Sequence, residues 1–137
     1  MKEKLKEFSQ STQKQRAVLM IADKYFIIEE YDQALELYKI IESESSKNIL
    51  SRKIAMVGIA YSLEGKKDYN NAIIIYQKVI QNFNDYPLFD IYLSIVRCHE
   101  LNNEKSSALL ILREMKVKFA SHHKISVVDE KIKKLDV

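Results

Sequence analysis

Apolar residues return along this chain at intervals of three and four, the spacing of one face of a helix, and not at the intervals of two that mark a half-buried strand. Three segments share one pattern: YDQALELYKII (31–41), YNNAIIIYQKVI (69–80) and EKSSALLILREM (104–115). Each holds an alanine (Ala34, Ala72, Ala108) followed four and seven residues later by large side chains: Tyr38 and Ile41, Tyr76 and Val79, Leu112 and Met115. That spacing stacks the three side chains on one helix face, with the alanine where a neighbouring helix comes close. The alanines are 38 and 36 residues apart. Helix pairs of that period stack into a solenoid.

A second helical stretch precedes each segment. The first runs from Val18 to Phe26 and the second from Ile49 to Leu63. The third starts at Pro87, a favourable first helical residue, with Asp85 just ahead, and continues to Leu101. Polar residues and glycine gather at 29–31, 44–48, 64–68, 83–86 and 102–103, which predicts six antiparallel helices joined by short turns. Beyond them Ile125, Val128, Ile132 and Leu135 form a one-sided stripe with a charged outer face. A short helix there would cover the open face of the last pair. The expected organisation is a basic polar lead over 1–14, with an extension of the first helix as the alternative there, three repeats over 15–119 (about 15–46, 47–85 and 86–119) and a capping helix over 120–137.

Composition agrees with an all-α reading. The chain of 137 residues has two glycines and one proline, too few for the turns of an all-β protein of this length. Charge is uneven within a net +3. Residues 1–16 carry five basic and two acidic groups and residues 113–137 seven and four, so the middle is mildly acidic. A nucleic-acid binder concentrates positive charge on its folded body, and this chain does not. The basic ends suit at most a weak contact with an anionic surface. A single cysteine, Cys98, excludes an internal disulfide. No apolar run approaches the roughly 20 residues that span a bilayer, and the first residues contain no apolar core of a secretory signal. The expected location is the cytoplasm, or a bacterial envelope if an anchor or signal precedes the sequence.

The repeated residues resemble the tetratricopeptide repeat family, whose unit carries a small residue and a tyrosine in its first helix and Ala-x-x-x-aromatic in its second. The matching residues are Ala22, Tyr25, Tyr31, Ala34, Tyr38 and Ile41, then Gly58, Tyr61, Gly65, Tyr69, Ala72, Tyr76 and Val79. In the third unit Val96, His99 and Asn103 depart from the pattern while Ala108 and Leu112 keep it. Lys66-Lys67-Asp68 makes the second turn about two residues longer than usual by this alignment. Ile80-Gln-Asn-Phe83 followed by Pro87 is similar to repeats of bacterial envelope-assembly lipoproteins and membrane-anchored translocon accessory proteins. The resemblance implies a right-handed solenoid without catalytic activity or cofactor, which binds a protein or peptide in a concave groove lined by its first helices.

Counted from the matched small residues, the groove positions are Arg16, Leu19, Asp23 and Phe26, then Arg52, Ala55, Ile59 and Ser62, then Asp90, Leu93, Arg97 and Glu100. Packing between helices is an equal alternative for Leu19 and Leu93. Chaperone-binding members of the family clamp a carboxylate with Lys and Asn where this chain has Leu19 and Asp23, so that clamp is not expected. The groove suits an amphipathic helix or an extended apolar segment of an adaptor's partner. The alternative is a chaperone-like holder of secreted or membrane clients. Catalytic chemistry finds little support. Cys98 and His99 are adjacent on a helix and point about 100° apart, so they cannot pair as thiolate and imidazole. Adjacent His122 and His123 lack further ligands at metal spacing. Two isolated glycines cannot build a phosphate loop.

Overall fold

The computed structural model describes residues 12–44, 49–84 and 87–136. Seven helices carry the described residues: α1 Thr12–Ile27, α2 Tyr31–Glu44, α3 Ile49–Gly65, α4 Tyr69–Asn82, α5 Leu88–Leu101, α6 Lys105–Lys118 and α7 Ile125–Leu135. There is no strand among them. Most of the expected polar lead, much of the loop over 44–48, and Asp85 lie outside the described residues. The chain divides into two compact units between Phe83 and Asn84.

In the first unit each helix packs against the next, and α1 also reaches α3. The centre is Val18, Leu19 and Ala22 of α1, Ala34, Leu35, Leu37, Tyr38 and Ile41 of α2, and Ala55 and Ile59 of α3. Tyr76 and Val79 of α4 are fully buried. In the second unit α5 packs on α6 and α6 on α7. Ile91, Ile95, Val96 and Cys98 of α5, Leu112 and Met115 of α6 and Val128 of α7 form its interior. The alanine-led pattern of the sequence holds throughout: Ala34, Ala72 and Ala108 are each at 0% exposure, and the large residues four and seven places on are buried with them. An alanine with no surface left admits the neighbouring helix backbone at a distance no larger side chain allows.

One turn occurs three times. Glu29, Lys67 and Asn103 adopt φ of 64°, 64° and 59°. The residue after each sends its amide back five places, Glu30 to Tyr25 O, Asp68 to Leu63 O and Glu104 to His99 O, at 2.9, 2.9 and 2.8 Å. The left-handed residue itself donates three places back, to Phe26, Glu64 and Glu100. This is the Schellman closure, which satisfies the last carbonyls of a helix within three residues. Four residues after each closing residue the amide of Ala34, Ala72 or Ala108 donates to its carbonyl, so the next helix starts at once.

These identical turns correct the expectation of a longer second turn. Lys66-Lys67-Asp68 matches Ile28-Glu29-Glu30 in length and bonding, and Gly65 is the last residue of α3. Gly65 stays small because the ring of Tyr31 occupies the space its Cβ would need. Gly58 likewise receives the ring of Tyr38.

Candidate functional site

Counting back seven residues from the left-handed position of each turn gives Ala22, Ala60 and Val96. Ala60 rather than Gly58 is therefore the equivalent of Ala22, two residues from the register that a match at Gly58 sets. The positions on α3 that correspond to Arg16, Leu19, Asp23 and Phe26 are Ile54, Val57, Tyr61 and Glu64. The structure bears out the shift. Ala55 and Ser62 are at 0% exposure and Ile59 at 6%, so all three sit inside the helix layer. Ser62 Oγ donates to Gly58 O at 2.8 Å, the local bond of a hydroxyl facing its own helix. Arg52 is half-buried, with Nε 3.9 Å from Glu42 Oε1.

With the register corrected, the first-helix face of the first unit has a definite character. On α3, Leu50, Ile54, Val57 and Tyr61 share one side by their spacing of four, three and four. Leu50 is 63% and Ile54 37% exposed, whereas Val57 is buried. Tyr61 is half-buried, and its ring lies 6.3 Å from that of Phe26 on α1 and 5.7 Å, edge to face, from that of Tyr76 on α4. Phe26 in turn meets Tyr31 edge to face at 5.5 Å. Four aromatic rings thus bridge the four described helices of this unit. Such contacts contribute about 0.5–1.5 kcal/mol each beyond area burial and hold the rings in fixed positions.

Carboxylates anchor the same face to the second helices. Tyr38 Oη donates to Asp23 Oδ1, joining α2 to α1. Tyr76 Oη donates to Glu64 Oε1 at 2.7 Å, joining α4 to α3. Burial pushes the Tyr38 phenol well above its ordinary value, and the hydrogen bond to Asp23 and that carboxylate's charge push it further. Asp23 is thereby occupied within the fold, although it remains on the exposed side. Arg16 is exposed and Leu19 is 8% exposed, in the core, so packing is the outcome for Leu19.

In the second unit the expected face is engaged by its own C-terminal region. Lys131 of α7 reaches Glu100 Oε1 at 3.2 Å, and Lys124 lies 3.8 Å from Asp90 Oδ1. Arg97 donates to Ser94 Oγ at 3.1 Å, and Leu93 is half-buried. His99 Nδ1 is 3.2 Å from Glu104 Oε1, which also accepts from Asn102 Nδ2 at 2.9 Å. The hydrogen bonds from Asn102 and then His99 hold the Glu104 carboxyl below the usual carboxylate range. Cys98 is buried. His122 stacks on Phe89 at 3.9 Å and His123 on His122 at 4.4 Å. Among the described residues no cluster of His, Cys, Asp and Glu could hold a metal ion.

A second concavity lies on another side of the first unit. Ile40, Met56, Ile59 and Ile75 floor an open groove of about 580 Å³, rimmed by Glu36, Lys39, Glu42 and Lys78. Among the candidate groove residues Ile59 alone reaches it. The sequence pattern carried no sign of this groove, because its floor uses ordinary core positions.

A solved structure places the fold. A TPR-like protein from Chlorobium tepidum TLS superimposes with a TM-score of 0.60 at 15% identity, over 90% of this chain and 94% of that one. The fold is a tetratricopeptide-like helical solenoid. No family model matches the chain, and no curated protein does. The TPR-like architecture accounts for the threefold turn and the buried alanines. It also assigns α1, α3 and α5 as first helices and α2, α4 and α6 as second helices of the pairs. No described helix is long and apolar enough to cross a membrane.

Proposed function

We propose that the chain is a non-catalytic protein-binding module that takes an apolar segment of its partner across the first-helix face of residues 12–83. The observation that carries this is the Phe26–Tyr61 ring pair continued by exposed Leu50 and Ile54. Rigid aromatic groups beside accessible aliphatic ones supply contact area at little cost in side-chain entropy, as binding anchors do. Partners in this reading are amphipathic helices or extended apolar peptides, with Arg16 and Asp23 at the border setting orientation. A chaperone-like use would show as comparable affinity for many unrelated apolar segments.

The groove floored by Ile40, Met56, Ile59 and Ile75 supports a second reading, in which the partner binds there. A peptide-display selection against the chain, followed by an NMR titration of the selected peptide, separates the two. In the first reading shifts centre on Leu50, Ile54 and Tyr61, and Ile54→Glu weakens binding by at least about tenfold, mostly through faster dissociation. Shifts centred on Met56 and Ile75, with Ile54→Glu binding like wild type, would move the site to the groove.

A further inference from the structure

The groove floored by Ile40, Met56, Ile59 and Ile75 carries its charge unevenly. Of its two rim acids, Glu42 faces Arg52 at 3.9 Å and Glu36 has a polar partner within the fold. Its two rim cations are Lys39 of α2 and Lys78 of α4. Both are exposed, and neither takes part in a hydrogen bond or ion pair among the described residues. A rim whose acids are engaged and whose lysines are not presents positive charge to whatever lies in the groove. The floor is uncharged and aliphatic. α2 and α4 give one half-buried isoleucine each, Ile40 and Ile75, and α3 adds buried Met56 and Ile59.

We infer that this groove takes an acidic amphipathic helix of a partner protein, its apolar stripe on the four aliphatic side chains and its carboxylates along both edges of that stripe. One edge meets Lys39 and the other Lys78. An open groove leaves one side of its occupant in water. Small-molecule sites bury most of their ligand, whereas a helix with a polar back needs only one face covered. Met56 supplies an unbranched side chain that adjusts to different apolar neighbours. The two lysines stand on separate helices, and this sets the charge pattern of the ligand. As at the edge positions of a coiled coil, acids on both sides of the stripe pair with both rims, and bases there are repelled by them. Exposed pairs of this kind add little affinity each and act mainly on the choice of partner and the rate of association. The inference rests on the groove reading given above, to which it adds the charge pattern of the ligand.

Two synthetic helix-forming peptides with blocked ends test it on the full chain. Both carry leucine at i, i+3, i+4 and i+7; one has glutamate on either side of that stripe, and its twin has lysine. In an NMR titration the acidic peptide should shift the amides of Ile40, Met56, Ile59 and Ile75. It should bind at least about fivefold more tightly than the twin at about 50 mM salt. The preference should fall toward parity at about 0.5 M salt, where screening shortens the reach of the lysines. Lys39→Glu and Lys78→Glu should each remove part of the preference, and the double variant should reverse it. Both positions are exposed, so circular dichroism of the variants should match wild type. Equal binding of the two peptides in the groove would keep the groove as a site and overturn its charge preference. Shifts centred on Leu50, Ile54 and Tyr61, or no shifts at all, would remove the groove as a site and the inference with it. A preference that outlasts high salt or the double variant overturns the inference as well. Dodecanoate that shifts the groove amides where the acidic peptide does not would give the groove to a small amphiphile, and would equally overturn it.

Discussion

Tyr38 shows how one side chain links sequence, packing and titration. Its ring fills the space opened by Gly58, and its hydroxyl crosses from α2 to Asp23 on α1. The phenol's folded pKa lies above its ordinary value, so the folded state favours the protonated form. The stability this contributes is complete below the ordinary phenol pKa near 10 and is lost as pH rises through the higher folded value. Tyr38→Phe should cost about 1 kcal/mol at neutral pH. It should also flatten the fall in urea midpoint above pH 10. An equally steep alkaline fall in the variant would assign the titration to another group. Burial of Tyr38 could be read from the sequence, because a spacing of four from Ala34 sets the face. The Asp23 partner could not: a hydrogen bond between residues fifteen apart depends on how two helices cross. The sequence shows Asp23 only as a groove charge, and the structure adds its bond to Tyr38.

At the scale of the element, the turns decide the register. Glycine is the usual left-handed residue after a helix, so Gly65 invited assignment as the turn glycine, with two residues left over. The structure puts Lys67 in that conformation and spends Gly65 on contact with Tyr31. The clue was already present. Twelve residues separate Ala22 from Ala34 and Val96 from Ala108, yet fourteen separate Gly58 from Ala72, whereas Ala60 restores the interval of twelve. In the Gly58 register three of the four second-repeat groove positions, Ala55, Ile59 and Ser62, fall on buried residues. Opposite outcomes are expected at the two sites. Lys67→Gly relieves a left-handed L-residue and should stabilise by about 0.5–1 kcal/mol, whereas Gly65→Ala forces the Tyr31 ring aside and should cost about 1–3 kcal/mol. Chemical denaturation of both variants reads the difference. A stabilising Gly65→Ala together with a destabilising Lys67→Gly would restore the first alignment.

For the whole molecule, the sequence was most legible where repetition could be counted and least where a surface was composed from several helices. Period, helix number and the C-terminal stripe all follow from apolar spacing along one strand of chain. The aromatic bridge of Phe26, Tyr31, Tyr61 and Tyr76, and the groove between α2 and α4, depend on how helices meet. The C-terminal helix belongs to both categories, and deleting residues 121–137 tests what it adds. Val128 is fully buried and Ile125, Ile132 and Leu135 are half-buried around it. Lys124 and Lys131 pair with Asp90 and Glu100, and Lys116 of α6 pairs with Asp129 at 3.1 Å. The ion pairs are at least partly exposed and contribute little each, so burial of the stripe dominates. Removing the helix uncovers the apolar side of α6, and residues 84–120 should then become sensitive to protease while α1–α4 keep their protection. The shortened chain should also associate more readily than the full one. A shortened chain with unchanged protease resistance would show that α5 and α6 hold together without α7, and that the stripe of Ile125, Val128, Ile132 and Leu135 is not what completes the core.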